Sequence, residues 1–146
     1  MADTSVQGEI ARWICVNLLP ARFGKEFSRQ RARLICGGDH SFAAVSEDRA
    51  IVGTICTGSA ARTGGGLAVG KLNKVRADLY FLLLAVCERR FVAVTQPIMF
   101  ELLRIEQEQY HRIPSDVELI HVQLPADMQQ RLERAQREAS LEVTPA

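Results

Sequence analysis

The sequence predicts a single α/β domain, a three-layer mixed sheet with elements in the order αβββαβαβα. Three observations carry this. Two short apolar runs, ending at Ser46 and starting at Ile51, flank the polar stretch Glu47–Ala50, the pattern of an antiparallel hairpin. Further on, the apolar runs Phe91–Thr95 and Val117–Leu124 alternate with segments of helical periodicity, so each crossover must return across a face of the sheet. Finally, 146 residues with 47% apolar and 24% charged side chains suit one soluble core, without need of a second.

The first helix is expected over Val6–Leu19, capped by Ser5, with Ile10, Trp13, Ile14, Asn17 and Leu18 inward and Pro20 as its end. Ala21–Gln30 then reads as a basic connector anchored by Phe23 and Phe27. Arg29, Arg31 and Arg33 alternate with Gln30, Ala32 and Leu34, and a period of two places the three arginines on one face of a strand. The run Arg31–Cys36 meets the hairpin at Gly37-Gly38, where glycine accepts the positive φ of a tight turn, which completes a three-strand meander.

Gly58 to Lys71 holds five glycines in fourteen residues, a loop whose bare backbone can approach an anion. Gly65–Lys71 has the spacing G-x-x-x-x-G-K. The next residue is Leu72 rather than the hydroxyl residue that binds magnesium, so a nucleotide triphosphatase is not expected. Leu72, Val75, Leu79, Leu82, Leu83 and Val86 define a second helix, Leu72–Glu88, with Lys71, Lys74 and Arg76 at its start. Cations there oppose the helix dipole, which suggests an external anion. Phe91–Thr95 is a central strand. Pro97 opens a third helix to about Gln109 with Ile98, Met99, Leu102, Leu103 and Ile105 inward. Val117–Leu124 is the last strand and Ala126–Ser140 the last helix, and the ends 1–5 and 141–146 are expected to be disordered.

Composition narrows function. No apolar run is long enough to cross a membrane and the N-terminus lacks the regions of a signal peptide, so no membrane partner and a cytoplasmic location are expected. Cys15, Cys36, Cys56 and Cys87 match no zinc spacing and read as buried free thiols. The net charge of +1 hides a division: residues 1–95 carry 13 bases and 8 acids, residues 96–146 carry 5 and 9. Bases concentrate in Arg12–Arg33 and Arg49–Ala77, the footprint of a polyanion partner if the two clusters meet. His40, His111 and His121 share no helical face at ligand spacing, and no nucleophilic triad can be assembled from this order.

The element order, with Gly-Gly, Phe42-x-x-Val45, a turn and Ile51-Val52-x-x-Ile55-x-Thr57, resembles the restriction-endonuclease-like fold, the PD-(D/E)xK nuclease superfamily, over roughly Val6–Val122. In that superfamily an aspartate on the second meander strand and E-x-K on the third hold magnesium and position the attacking water. The resemblance puts these at Ala43, Thr54 and Cys56, where the functional groups are absent and no hard cation finds its oxygen ligands. No metal and no cofactor are therefore expected, and magnesium enters only if Asp39, His40, Glu47, Asp48 or Glu9, with Lys71 or Lys74 as the amine, rebuild the site.

Three readings follow. The first is a nuclease-like domain without metal chemistry that binds nucleic acid or serves as an assembly module, with Arg31, Arg33, Arg62, Lys71, Lys74 and Arg76 as phosphate contacts. The second is an active magnesium-dependent nuclease with relocated residues. The third is a homo-oligomeric structural protein joined through its charge division.

Overall fold

A computed structural model describes residues 5–58 and 69–143. Its order is α1 (Ser5–Trp13), a π-helical turn (Ile14–Leu18), α2 (Leu19–Phe23), β1 (Phe27–Arg33), β2 (Asp39–Ser46), β3 (Ile51–Cys56), α3 (Val69–Leu84), β4 (Arg89–Val94), α4 (Pro97–Glu108), β5 (Val117–His121) and α5 (Ala126–Val143). The five strands lie in sequence order. The pairs β1–β2 and β2–β3 are antiparallel, and β3–β4 and β4–β5 are parallel. No helix among the described residues is long and apolar enough to cross a membrane.

Strand alternation divides the core into two halves, one on each face. Val52, Val92, Val94 and Val117 pack against Leu72, Val75, Leu79 and Leu82 of α3, and against Met99 and Leu103 of α4. Ile51, Phe91, Ala93 and Ile120 pack on the other face against Ile10, Ile14 and Leu19, with Leu132 of α5. The expected three layers are thus α3 and α4, the sheet, then α1, α2 and α5.

Several boundaries differ from expectation, each for a local reason. Pro20 does not end the first helix. The wide turn before it closes Leu19 N–H onto Ile14 O, five residues back, and Pro20 then sits in the opening turn of α2, where its missing N–H costs little. The phase shift buries Cys15 and Leu19 and leaves Asn17 exposed. The actual stop is Gly24, left-handed at φ 71°. β1 begins at Phe27, inside the expected connector, and α3 ends at Leu84, because Leu34 bridges Ala85 and that pairing takes the chain out of the helix. Ile98 points outward at 55% exposure, and Cys36 is exposed at the hairpin tip rather than buried. At the ends, Ser5 and residues 141–143 are helical; the rest of that expectation, like residues 59–68 of the glycine-rich stretch, lies outside the described residues.

The feature that shapes the molecule is how little of β2 joins β3. Only Ala44↔Gly53 and Val45↔Val52 pair. Just before them the β1–β2 register slips, so that Ala43 and Ala44 stand opposite Arg29 alone, a β-bulge. As a result Phe42 and Val45, three residues apart, enter the same half-core. Beyond the bulge the hairpin folds toward α3: Ala32, Leu34 and Phe42 join the α3 cluster, and Ile35 N–H donates to Leu84 O at 2.8 Å.

The size of the bend follows from two hydrogen bonds. On a flat ladder Arg33, opposite Asp39, would stand roughly 23 Å from the Ser46 end of β2, seven residues away at about 3.3 Å each. Yet Val86 N–H donates to Arg33 O (2.9 Å) and Glu88 N–H donates to Ala50 O (2.8 Å), donors two residues apart on one segment. The tip of the hairpin has been brought back beside the β2–β3 turn.

At the junction, Gly53 is required by space. A Cβ there would lie 2.2 Å from Phe91 Cζ, and the Phe91 ring is held between Phe23 (5.4 Å) and Phe27 (6.0 Å). Gly53→Ala is expected to cost about 1–3 kcal/mol, as overpacking of a dense core does, read as a lower urea midpoint at unchanged slope. Adding Phe91→Leu to Gly53→Ala should recover part of that loss, because the clash is with the ring.

Candidate anion-binding surface

The bend creates a basic concavity. Arg31 and Arg33 come from β1, and by alternation they point away from Ala32, which packs toward α3. Arg49 comes from the β2–β3 turn. Together with Gly37, Gly38 and Asp39 of the tip they line a shallow depression of about 510 Å³.

The turn that presents Arg49 is tightly specified. Ser46, fully buried, donates its hydroxyl to Asp48 Oδ1 (2.7 Å) and accepts the Ile51 N–H (3.0 Å). Asp48 also accepts from Ala50 N–H (3.1 Å) and from Lys25 Nζ (2.5 Å). Lys25, then Ser46 and the Ala50 amide, hold the Asp48 carboxyl well below the usual carboxylate range. Arg49 takes the left-handed conformation at φ 62°, and its N–H donates to Ser46 O (2.9 Å). Asp48, a candidate for a rebuilt metal site, is spent on this turn.

The charge in the depression is not balanced. Arg31 pairs with Asp39 at 2.5 Å, and this bond, more than the bare charge of Arg31, keeps Asp39 ionised to lower pH. Both side chains are more than half exposed, so the pair adds little stability. Arg33 and Arg49 have no ion-pair partner among the described residues. Gly37 and Gly38 have open space where a Cβ would stand, so no side chain shields the backbone of the tip. A guanidinium offers a planar fork of donors that fits phosphate in a bidentate manner.

The other basic residues do not join this surface. Lys71 lies at the start of α3 against Gly58, whereas the hairpin docks at Leu84, thirteen residues and about 20 Å along the helix. Lys74 pairs with Asp78 (3.3 Å) and Arg76 with Glu106 (3.6 Å). The two basic clusters of the sequence therefore meet only through Arg49, and Arg62 lies outside the described residues. Arg49 completes the surface in their place; its only sequence signal was membership of a charge cluster, since the bend that recruits it has no local signature.

Part of the charge division between the two parts of the chain closes on itself. Arg22 and Arg89 reach Glu118, Arg90 reaches Asp116, and buried Glu106 takes both Arg76 and Arg112. These pairs use acids that electrostatic self-association would need.

The positions that the resemblance assigned to chemistry are neutral. Ala43 sits in the bulge beyond the last β2–β3 pair, and its carbonyl accepts the Cys15 thiol at 3.5 Å. Thr54 and Cys56 alternate with Ile55 and lie on the α3 side with Val52. Burial pushes the Cys56 thiol up, opposed first by its hydrogen bond to the Gly58 backbone and less by Lys74 and Lys71. The residues named for a rebuilt metal site are scattered. Asp39 is at the hairpin tip, Asp48 and Glu47 are in the turn, Lys71 is at the start of α3, and Glu9 pairs with Arg131 of α5 (2.6 Å). Among the described residues no three His, Cys, Asp or Glu side chains gather as a metal site. His40 stacks on Phe81 (4.0 Å) and His121 on Phe100 (5.1 Å), both as packing groups.

No family model, curated protein or solved structure matches this chain.

The thiols provide a test of these surroundings. Cys36 is exposed next to Gly37 on the depression, while burial pushes Cys15 up to about 11. Iodoacetamide on native protein at about pH 8 should label Cys36 first and leave Cys15 unmodified until denaturant is added, read by peptide mass spectrometry. Because the folded pKa of Cys15 is raised above 9.0, its contribution to stability is complete below that pH and is lost as pH rises toward about 11.

Proposed function

We propose that this chain is a nucleic-acid-binding domain of the restriction-endonuclease-like kind, without metal chemistry, that grips a phosphate backbone through Arg31, Arg33 and Arg49. One observation carries the reading: two separate segments deliver three arginines to a single concave surface that holds one carboxylate. An ordinary solvated face would disperse such charges or pair them, as happens to Lys74, Arg76, Arg89 and Arg104.

The kinship with nucleases is supported by the meander followed by two helix-crossed strands, and by β2 and β3 bearing Ala43, Thr54 and Cys56 where the resemblance expects the acids and the lysine. A fold of that kind without carboxylates retains affinity for phosphates but has no means of activating water. The partner is read through its backbone, since arginines on an open surface contact phosphates of any sequence.

Binding of this kind weakens with salt, because each neutralised phosphate releases counterions. For a generic DNA duplex, the slope of log affinity against log salt should be about −2 to −3, at roughly −0.9 per phosphate for two or three contacts. Fluorescence anisotropy over a salt series tests this. Arg33→Ala and Arg49→Ala should each weaken binding and reduce the slope by about 1, uniformly across sequences, whereas Lys71→Ala should leave both unchanged. Absence of binding at about 50 mM salt, or affinity untouched by both arginine changes, defeats the proposal.

A further inference from the structure

The C-terminal end of β4 leads directly into α4, and there the fold leaves two buried polar side-chain atoms unsatisfied. Thr95 is 3% exposed and Gln96 7%, and neither Thr95 Oγ1 nor Gln96 Nε2 has a hydrogen-bond partner among the described residues. Native interiors satisfy such groups almost without exception, so each unpaired one needs an explanation.

The orientation of Gln96 is set from outside. Gln129 Nε2 donates to Glu133 Oε1 (3.0 Å), and the same amide nitrogen faces Gln96 Oε1 at 3.5 Å. With its oxygen turned to α5, Gln96 has its NH2 group left over. Gln96 is also the N-cap of α4, in extended conformation, and its side chain caps no amide. Pro97 follows, and the first helical bond is Phe100 N–H to Gln96 O (3.0 Å). The amides of Ile98 and Met99 therefore precede any intrahelical acceptor, at the positive end of a twelve-residue helix with no acid in its first turn. Thr95 N–H donates to Cys56 O (3.0 Å), which ties this point to the end of β3, where Lys71 packs against Gly58 without an ion-pair partner among the described residues.

The carboxamide NH2 and the two helix amides left at this place can only donate, and the Thr95 hydroxyl can donate with them. A ligand rich in acceptors complements all four. We infer that the junction of β4 and α4 binds one oxyanion, a phosphoryl or carboxylate group, held by Thr95 Oγ1, Gln96 Nε2 and the first amides of α4. This site is separate from the arginine concavity and shares no residue with it, so either can fail alone.

The test is a titration of isotope-labelled full-length protein followed by backbone amide NMR, with inorganic phosphate in one arm and acetate in the other. The expected result is saturable movement of the Ile98 and Met99 amides with phosphate, acetate or both; the responding arm identifies the oxyanion. Thr95→Val with Gln96→Leu should weaken that response about tenfold or more, as loss of two hydrogen bonds to a charged acceptor implies, while Arg33→Ala leaves it intact. Should the double variant fail to fold, Thr95→Val alone and the wild-type titration still decide. An adventitious ion only, seen as shifts spread over exposed lysines and arginines without saturation at Ile98 and Met99, overturns the inference. So does a wild-type protein whose amides do not respond to either ion, since the two groups are then merely hydrated.

Discussion

The union of β2 with β3 lasts two residue pairs, and the rest of the molecule is arranged around that brevity. A hairpin continuing flat would have exposed Ala32, Leu34 and Phe42 to water, and α3 would have lacked the cover for its C-terminal half. By slipping one residue at Ala43–Ala44 the hairpin changes course and buries all three against α3. Hydrophobic burial supplies the drive for the turn, at roughly 25 cal/mol per Å² of apolar surface removed from water. The bulge supplies the geometry, since an unpaired residue both bends a strand and increases its twist. Two irregularities meet at this point: the wide turn of the first helix brings Cys15 to the bulge, where its thiol donates to the Ala43 carbonyl.

The same displacement explains which parts of the molecule were legible in the sequence. Elements defined by a local period were readable: the alternation of β1, the Pro97 start of α4, the Glu47–Ala50 turn, the apolar core of β4. Misreadings occurred wherever a distant contact overruled a local rule. Pro20 is a helix breaker by its own chemistry, yet a π-turn absorbed it because Cys15 and Leu19 gain burial from the changed phase. Leu83 and Val86 fit the helical stripe of α3, but Ala85 is claimed by Leu34, and Val86 ends at 51% exposure. Arg31 and Arg33 of the basic face were legible in the alternation, although Arg29, at the bulge, does not line the depression; completion by Arg49 was not legible, because residues sixteen apart in sequence meet only through a bend that no pattern of apolar residues encodes.

Electrostatics follows from the fold in the same way. The early excess of bases and late excess of acids is the trace of a chain whose later strands and helices return over its earlier ones, which is why Glu118 serves both Arg22 and Arg89 and Glu106 serves Arg76. Glu106, nearly buried, requires such partners, because a lone charge in the interior is costly. The hairpin keeps a surplus of its own, since among the described residues Arg33 and Arg49 have no ion-pair partner and Arg31 has one.

Placement of charge also separates binding from catalysis in this architecture. Metal-assisted hydrolysis of a phosphodiester needs acids that hold a cation beside the scissile bond, and these must converge to within a few ångströms. At Ala43 and Thr54 the side chains are a methyl and a hydroxyl, and of the neighbouring carboxylates Asp39 is bound to Arg31 and Asp48 to Lys25. Phosphate affinity is less demanding. It needs positive charge on a surface the ligand can reach, and tolerates contacts spread over many ångströms because each acts nearly independently through counterion release. The bend that brings Arg31 and Arg33 beside Arg49 also brings Asp39 toward the turn of Glu47 and Asp48, but Asp39 pairs with Arg31 and Asp48 with Lys25, so the proposed phosphate affinity rests on the arginines and not on a carboxylate cluster.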